Sequence, residues 1–119
     1  MKDFRDLKVW EKSHKLTLQI YAATREFPRE ERYSLTSQIC RAAGSIPANI
    51  AEGCGREGDA GLSRYLRIAM GSSSELEYDL LLARDLGYFE EETCAELAGA
   101  LTQIRKMLNA FIQRLTANR

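Results

Sequence analysis

The sequence predicts an all-α protein: an antiparallel, up-down-up-down four-helix bundle whose second helix carries a kinking proline, in one domain spanning residues 1–119. Three observations carry this expectation. Apolar residues recur at alternating steps of three and four along four long segments, and they show no period-two run of the kind that marks a half-buried strand. Only two prolines occur in 119 residues. The stretches between the periodic segments are short, so successive helices must run antiparallel.

The first segment covers about residues 6–26, with a core row of Val9, Ser13, Leu16, Ile20, Ala23 and Phe27, flanked by Trp10 and Tyr21. Phe27-Pro28 ends it, because a residue before proline is pushed out of the helical region. The second segment starts near Ser34, a favourable N-cap residue, and ends at Gly53 or Cys54. Its row of Leu35, Ile39, Ala42, Ile46 and Ile50 runs straight past Pro47. Pro47 has no N–H for the carbonyl of Ala43, and its ring presses on the preceding turn, a cost of about 3 kcal/mol inside a helix. A helix restarting at Pro47 would take Ile46 as its N-cap, and isoleucine caps poorly. A continuous, kinked helix is therefore expected. The low bulk of Ala42, Ala43, Gly44, Ser45 and Ala48 lets a neighbouring backbone come close.

The third segment begins after the glycine-rich turn at residues 53–58, with Asp59 as a candidate cap. Its row is Leu62, Leu66, Ala69, Ser73, Leu76, Leu80 and Ala83, and Gly87 stops it. Glu90, Glu91 and Glu92 open the fourth segment, where the helix dipole favours negative charge. Its row is Cys94, Leu97, Leu101, Ile104, Leu108, Phe111 and Leu115, with Arg105, Lys106, Arg114 and Arg119 toward its C-terminal end. In the third segment, Gly71, Ser72, Ser73 and Ser74 form a poor helix-forming run that complements the small-residue zone of the second.

Positive and negative charges balance, with 17 Lys and Arg against 17 Asp and Glu, so no global field draws the chain to nucleic acid or anionic lipid. The N-terminal stretch has no apolar signal region, and no apolar run approaches a membrane span. Cys40, Cys54 and Cys94 are isolated and odd in number, which reads as buried thiols in a reducing cytoplasm. Glu75, Glu77 and Asp79 resemble metal ligands only superficially, because the single histidine, His14, lacks the Glu-x-x-His spacing of di-iron bundles. No nucleophile elbow, P-loop or acid–base pair is present, so neither an enzyme nor a cofactor is expected.

Local basic groups remain. Arg5, Lys8, Lys12 and Lys15 recur at steps of three and four opposite the apolar face of the first helix. They form either a phosphate-tracking stripe or, more simply, a solvated face. Arg41 and Arg56 bracket the proline helix, and Arg64 and Arg67 follow on the third. Asn49 is placed to satisfy backbone groups that Pro47 frees, and Glu52 to pair with Arg41 or Arg56. Tyr65, Ile68, Leu82 and Leu86 lie beside the main row of the third helix, as Trp10 and Tyr21 do on the first. These second rows are either a wide core face or a subunit interface.

The chain resembles the bacterial four-helix bundle proteins related to the protein encoded in 23S rRNA intervening sequences. The resemblance rests on Phe4-x-x-Leu7-x-Val9-Trp10, Tyr21, Phe27-Pro28, Glu31-x-Tyr33-x-Leu35-x-x-Gln38, and the run from Arg41 through Ser45-Ile46-Pro47-x-Asn49-Ile50-Ala51-Glu52-Gly53. It continues in Ile68-Ala69-x-Gly71-Ser72, Glu75-Leu76-Glu77 and Leu86-Gly87-Tyr88. The resemblance implies a bundle that assembles into a ring-shaped homopentamer. It also implies similarity to the accessory protein of diversity-generating retroelements, which binds nucleic acid and a reverse transcriptase. Cys40 stands where the family commonly has arginine, removing a basic neighbour of Arg41. The resulting expectation is a non-catalytic, self-associating bundle that presents its basic groups to RNA. The rivals are a protein-interaction scaffold without a nucleic-acid partner and, more distantly, an enzyme using Glu52 or Glu75.

Overall fold

In the computed structural model, which describes residues 3–117, four long helices follow one another: α1 (Lys8–Ala23), α2 (Leu35–Cys54), α3 (Gly58–Asp85) and α4 (Glu91–Thr116). Short 3-10 turns at Phe4–Asp6, Thr24–Glu26 and Arg29–Glu31 lead into α1 and join it to α2. No strand occurs among the described residues. α1 packs on α2 and α4, α3 packs on the same two helices, and the α2–α3 contact is the most extensive. α1 therefore lies diagonally across from α3. The bundle measures 46 × 22 × 20 Å. The 28 residues of α3 alone account for about 42 Å of that length, at roughly 1.5 Å per residue.

The predicted rows form the core. Every member of the α2, α3 and α4 rows is buried, as are Val9, Ser13, Leu16, Ile20 and Phe27; Ala23 is half-buried. All four helices supply large side chains that are essentially inaccessible, among them Leu16, Ile50, Leu66 and Leu108. Each such burial is worth roughly 1.5–3 kcal/mol relative to an exposed side chain, offset by the conformational entropy of the ordered chain.

Two helix starts differ from expectation. Ser34 precedes α2, but its side chain does not cap the helix. Its hydroxyl donates to Glu31 Oε1, and that same oxygen accepts from the Leu35 N–H at 3.4 Å. The carboxylate three residues upstream thus takes the capping role, bringing a full charge to the positive end of the helix. Asp59 lies inside the first turn of α3 instead of ahead of it, because the helix already begins at Gly58. The end of α3 is as expected. Gly87 takes φ 80°, its N–H donates to Arg84 O at 2.9 Å, and the Tyr88 N–H donates to Ala83 O at 2.9 Å. This is a Schellman stop, which needs a residue free to enter the left-handed region.

α2 runs unbroken through Pro47, which is buried. The carbonyl that Pro47 cannot serve is that of Ala43, a residue only 1% exposed. α1 supplies the missing donor. The Thr17 hydroxyl lies 3.1 Å from Ala43 O and 2.9 Å from Ser13 O. A threonine hydroxyl has one proton to share, and Ser13 O already sits four residues before the Thr17 N–H within the same helix; Ala43 O has no such neighbour. Asn49 has a different role: its side-chain amide donates to Ser45 O at 2.8 Å and to Ser45 Oγ at 3.0 Å. Gly44 faces α1 at this point, where a Cβ would sit in ordinary contact with Thr17 Cγ2 at 3.8 Å.

The α2–α3 seam is held by polar rungs at seven-residue intervals. Gln38 Nε2 donates to Asp79 Oδ1 at 2.6 Å, and Ser45 Oγ meets Ser72 Oγ at 2.7 Å. One heptad further on, Arg56 bonds both Glu52 Oε2 and Tyr65 OH at 2.9 Å. Gly53 closes the seam. A Cβ there would lie 3.0 Å from Leu62 Cδ1 and Tyr65 Cβ and 3.3 Å from Leu62 O, so any side chain would push the helices apart. The small-residue zones thus meet through Ser45 and Ser72, while Gly44 faces α1 and Gly71 is exposed.

Two stability measurements check this packing. Thr17→Val should cost about 1–3 kcal/mol by stranding a buried carbonyl. In a Pro47→Ala background, where the substituted residue restores the backbone N–H, the same change should cost less by about 1 kcal/mol; equal costs by urea unfolding would contradict the coupling. Ser72→Leu should lose about 1–3 kcal/mol through overpacking against Ser45, and an unchanged unfolding midpoint would show that the seam is loose.

Candidate nucleic-acid interface

The basic residues expected to meet phosphate fall into two groups, one along α1 and its lead-in turn, the other on α2, α3 and the turn between them. Lys12 and Lys15 line a cleft between α1 and α4 with Gln19 and Gln103. Lys8 lines a neighbouring cavity of about 540 Å³ with Arg114, Met107 and, from the start of α3, Asp59. Lys8, Lys12 and Lys15 are exposed, and none forms an ion pair among the described residues. Arg5 is not part of this helical row. It sits in the 3-10 turn before α1, pairs with Asp3 at 3.3 Å and lies over the Phe4 ring at 4.5 Å.

The remaining four belong to the α2–α3 side. Arg41 and Arg67 are exposed. Arg56 pairs with Glu52, one of the two partnerships expected for that acid, and both Arg56 and Arg64 lie over the Tyr65 ring, at 5.0 and 5.8 Å. The Arg56–Glu52 pair is exposed, and such pairs contribute about 0–1 kcal/mol. α1 is diagonal to α3, but their N-terminal ends meet at one end of the bundle, where Lys8 and Asp59 line the same cavity. Arg105, on α4, is engaged by Glu77 at 2.9 Å and Ser74 at 3.1 Å.

The second rows are partly outside the core. Ile68 (42% exposed) and Leu86 (49%) lie on the outer face of α3 with Tyr78 (57%), while Leu82 and Tyr65 are half-buried. On α1, Trp10 is half-buried against Phe4 and His14, with ring centroids 4.9 Å apart in both cases, and Tyr21 is exposed. Residues far apart in the sequence meet at one end of the bundle. Tyr88 OH donates to Glu31 Oε2 at 2.8 Å, and the Phe27 ring packs on Tyr88 and Phe89 at 5.3 and 4.9 Å.

Three features are not visible in the sequence pattern. Thr17 gives no signal beyond its place one helical turn past Ser13. Asp79 reads as one of a run of acids, yet it is fully buried; its position beside the core row, on the α2 side, is the available clue. Arg25, Arg29 and Arg32 lie in the connection from α1 to α2, on both sides of Phe27-Pro28, where no helical period ties them together. No group of three potential metal ligands occurs among the described residues. No helix of the described chain is long and apolar enough to cross a membrane. The three cysteines are buried without a disulfide, and burial raises the Cys94 thiol above its ordinary range.

The architecture defines a four-helix bundle built on a proline-bearing second helix and an α2–α3 polar seam. The chain belongs to the 23S rRNA-intervening sequence protein family, which it matches over residues 5–110. Its fold is similar to the crystal structure of a protein of unknown function from the S23 ribosomal protein family of Bacteroides thetaiotaomicron VPI-5482. The TM-score is 0.80 and the identity 28%, over 88% of this chain and 98% of that one. Comparison with curated proteins returns no match.

Two carboxylates shape the pH response. The Ser34 hydroxyl and then the Tyr88 hydroxyl hold Glu31 below the usual carboxylate range, against an opposing effect of burial and with a lesser contribution from the Leu35 N–H. Its contribution to stability is therefore present above that range and lost as pH falls through the lowered pKa. Asp79 behaves oppositely. Burial raises it, the Gln38 amide partly offsets this, the Glu75 charge raises it further, and its Oδ2 has no partner. The folded state keeps this proton to higher pH than the unfolded chain, so stability declines as pH rises from about 3.9 through the raised pKa. Asp79→Asn should therefore raise the melting temperature at neutral pH, with little change near about pH 3, where the unfolded-state carboxyl is itself largely protonated. An equal shift at both pH values would exclude the carboxyl's ionisation as the cause.

Proposed function

We propose that the protein is a non-catalytic, cytoplasmic bundle that self-assembles, as a ring-shaped homopentamer, and associates with RNA. The observation that carries the nucleic-acid reading is the row Lys8, Lys12 and Lys15, lying unpaired along the cleft between α1 and α4. An RNA backbone gains from such a row by releasing condensed counterions. The glutamines of that cleft, Gln19 and Gln103, add uncharged donors for phosphate or sugar oxygens.

Self-association is supported by the outer face of α3, where Ile68, Tyr78 and Leu86 stand in solvent beside Glu75. A second copy of the chain covering this face would remove apolar surface from water and leave the α1–α4 side open. A protein-interaction scaffold without nucleic acid is the alternative favoured by that same face. The two acids that could have served catalysis do not support an enzyme: Glu52 is engaged by Arg56 on the surface, and Glu75 is exposed.

Light scattering should give a mass about five times the 13.5 kDa of one chain. Ile68→Lys together with Leu86→Lys should reduce it, and a wild-type mass of one chain would remove the ring. Replacing Lys8, Lys12 and Lys15 by glutamine should weaken binding to structured RNA. It should also flatten the salt dependence by about 0.7–0.9 log units for each phosphate no longer held. No binding of wild-type protein at low salt would leave the scaffold reading.

A further inference from the structure

The connection between α1 and α2 forms a surface cavity of about 500 Å³ lined by Arg25, Arg29, Arg32 and Thr36, with Phe27 and Pro28 as its apolar wall. None of the three arginines forms an ion pair among the described residues. Acids are close in sequence but do not neutralise them. Glu26 and Glu30 are exposed and do not line the cavity, and Glu31 is occupied by Ser34, Leu35 and Tyr88. Three like charges are thus gathered on one concave surface with no ion-pair partner among the described residues. Guanidinium forks match the oxygens of a phosphate, each offering two parallel donors. Thr36, in the first turn of α2, adds an uncharged hydroxyl to the lining, while the helix end itself is already met by Glu31.

The scaffold beneath is ordered. Phe27 is buried against Phe89 and Tyr88, the Glu31–Tyr88 bond ties this connection to the one between α3 and α4, and Thr24 Oγ1 contacts Cys40 Sγ at 3.4 Å. Beside Arg32, Tyr33 is 88% exposed, the most solvent-facing of the large hydrophobic side chains. Tyr33 does not line the cavity but follows Arg32 in the chain, and an exposed aromatic ring one residue from a phosphate-holding guanidinium can receive an unpaired base.

We infer that this connection is a subsite for single-stranded nucleic acid, in which Arg25, Arg29 and Arg32 hold backbone phosphate and Tyr33 stacks a base. A duplex would not satisfy it, because paired bases cannot turn onto the ring. The inference rests on the nucleic-acid reading above but uses residues separate from the α1 row, so the two can fail independently.

The test measures binding of full-length protein to a homopolymeric uridine oligonucleotide and to an RNA duplex across a salt series. The variants are R25Q/R29Q/R32Q, Tyr33→Ser and the α1 lysine-to-glutamine triple. The first should weaken single-strand binding and flatten its salt dependence by about 0.7 log units for each phosphate released. Tyr33→Ser should lower single-strand affinity about 5- to 100-fold and leave duplex affinity unchanged, an asymmetry that a folding defect would not produce. Single-strand binding equal to wild type in both variants, with weakening confined to the α1 triple, would overturn the inference and leave the broader reading intact. No binding of wild type to either RNA would overturn both. Inorganic phosphate raising the melting temperature of wild type but not of the arginine variant, with unchanged oligonucleotide affinities, would make the cavity a free-anion site and also overturn the inference.

Discussion

The carbonyl of Ala43 lies in the interior with no N–H four residues on to receive, because position 47 is a proline. An orphaned buried carbonyl costs about 1–3 kcal/mol, comparable to the burial of a core leucine. Thr17 relieves it from the neighbouring helix. That bond can form only if α1 and α2 are close, which the small residues around the proline allow, and it fixes the height of one helix against the other. A local defect in one backbone has become a specification for the pairing of two.

The same logic explains how much of the fold is legible in the sequence. A periodic apolar row needs only its own segment to be read, so the rows of α2, α3 and α4 are buried as expected, as is the passage of α2 through Pro47. Gly87 is legible because a Schellman stop is local. Ser34 misleads because its partner, Glu31, competes for the hydroxyl from outside the helix. Thr17 and Asp79 are not legible for a related reason: their roles are set by what another helix presents, and no spacing in their own segment records it. Among the basic residues, the Lys8–Lys12–Lys15 row is visible as a period, but the placement of the arginines relative to it follows from which helices are neighbours.

Charge is distributed to match this division. Among the described residues the interior holds one carboxyl, Asp79, whose pKa burial raises. Cationic groups that are engaged, such as Arg56 and Arg105, sit on the flanks of α3 and fasten it to its neighbours. Those without an ion-pair partner among the described residues include Lys8, Lys12 and Lys15 on α1, the three arginines of the connection to α2, and Arg41 and Arg67. A chain with zero net charge thus still carries distinct cationic regions, and a Debye length of about 8 Å at physiological salt keeps them distinct.

The seven-residue spacing of the rungs from Gln38–Asp79 to Ser45–Ser72 to Glu52–Arg56–Tyr65 has a mechanical consequence. Sliding α3 along α2 by a single turn would unpair all of them together and drive Tyr65 past the backbone at Gly53. Shear along this interface is therefore closed to the molecule. Whatever message it relays must pass as rigid-body rotation of whole bundles or as rearrangement of the loops at their tips.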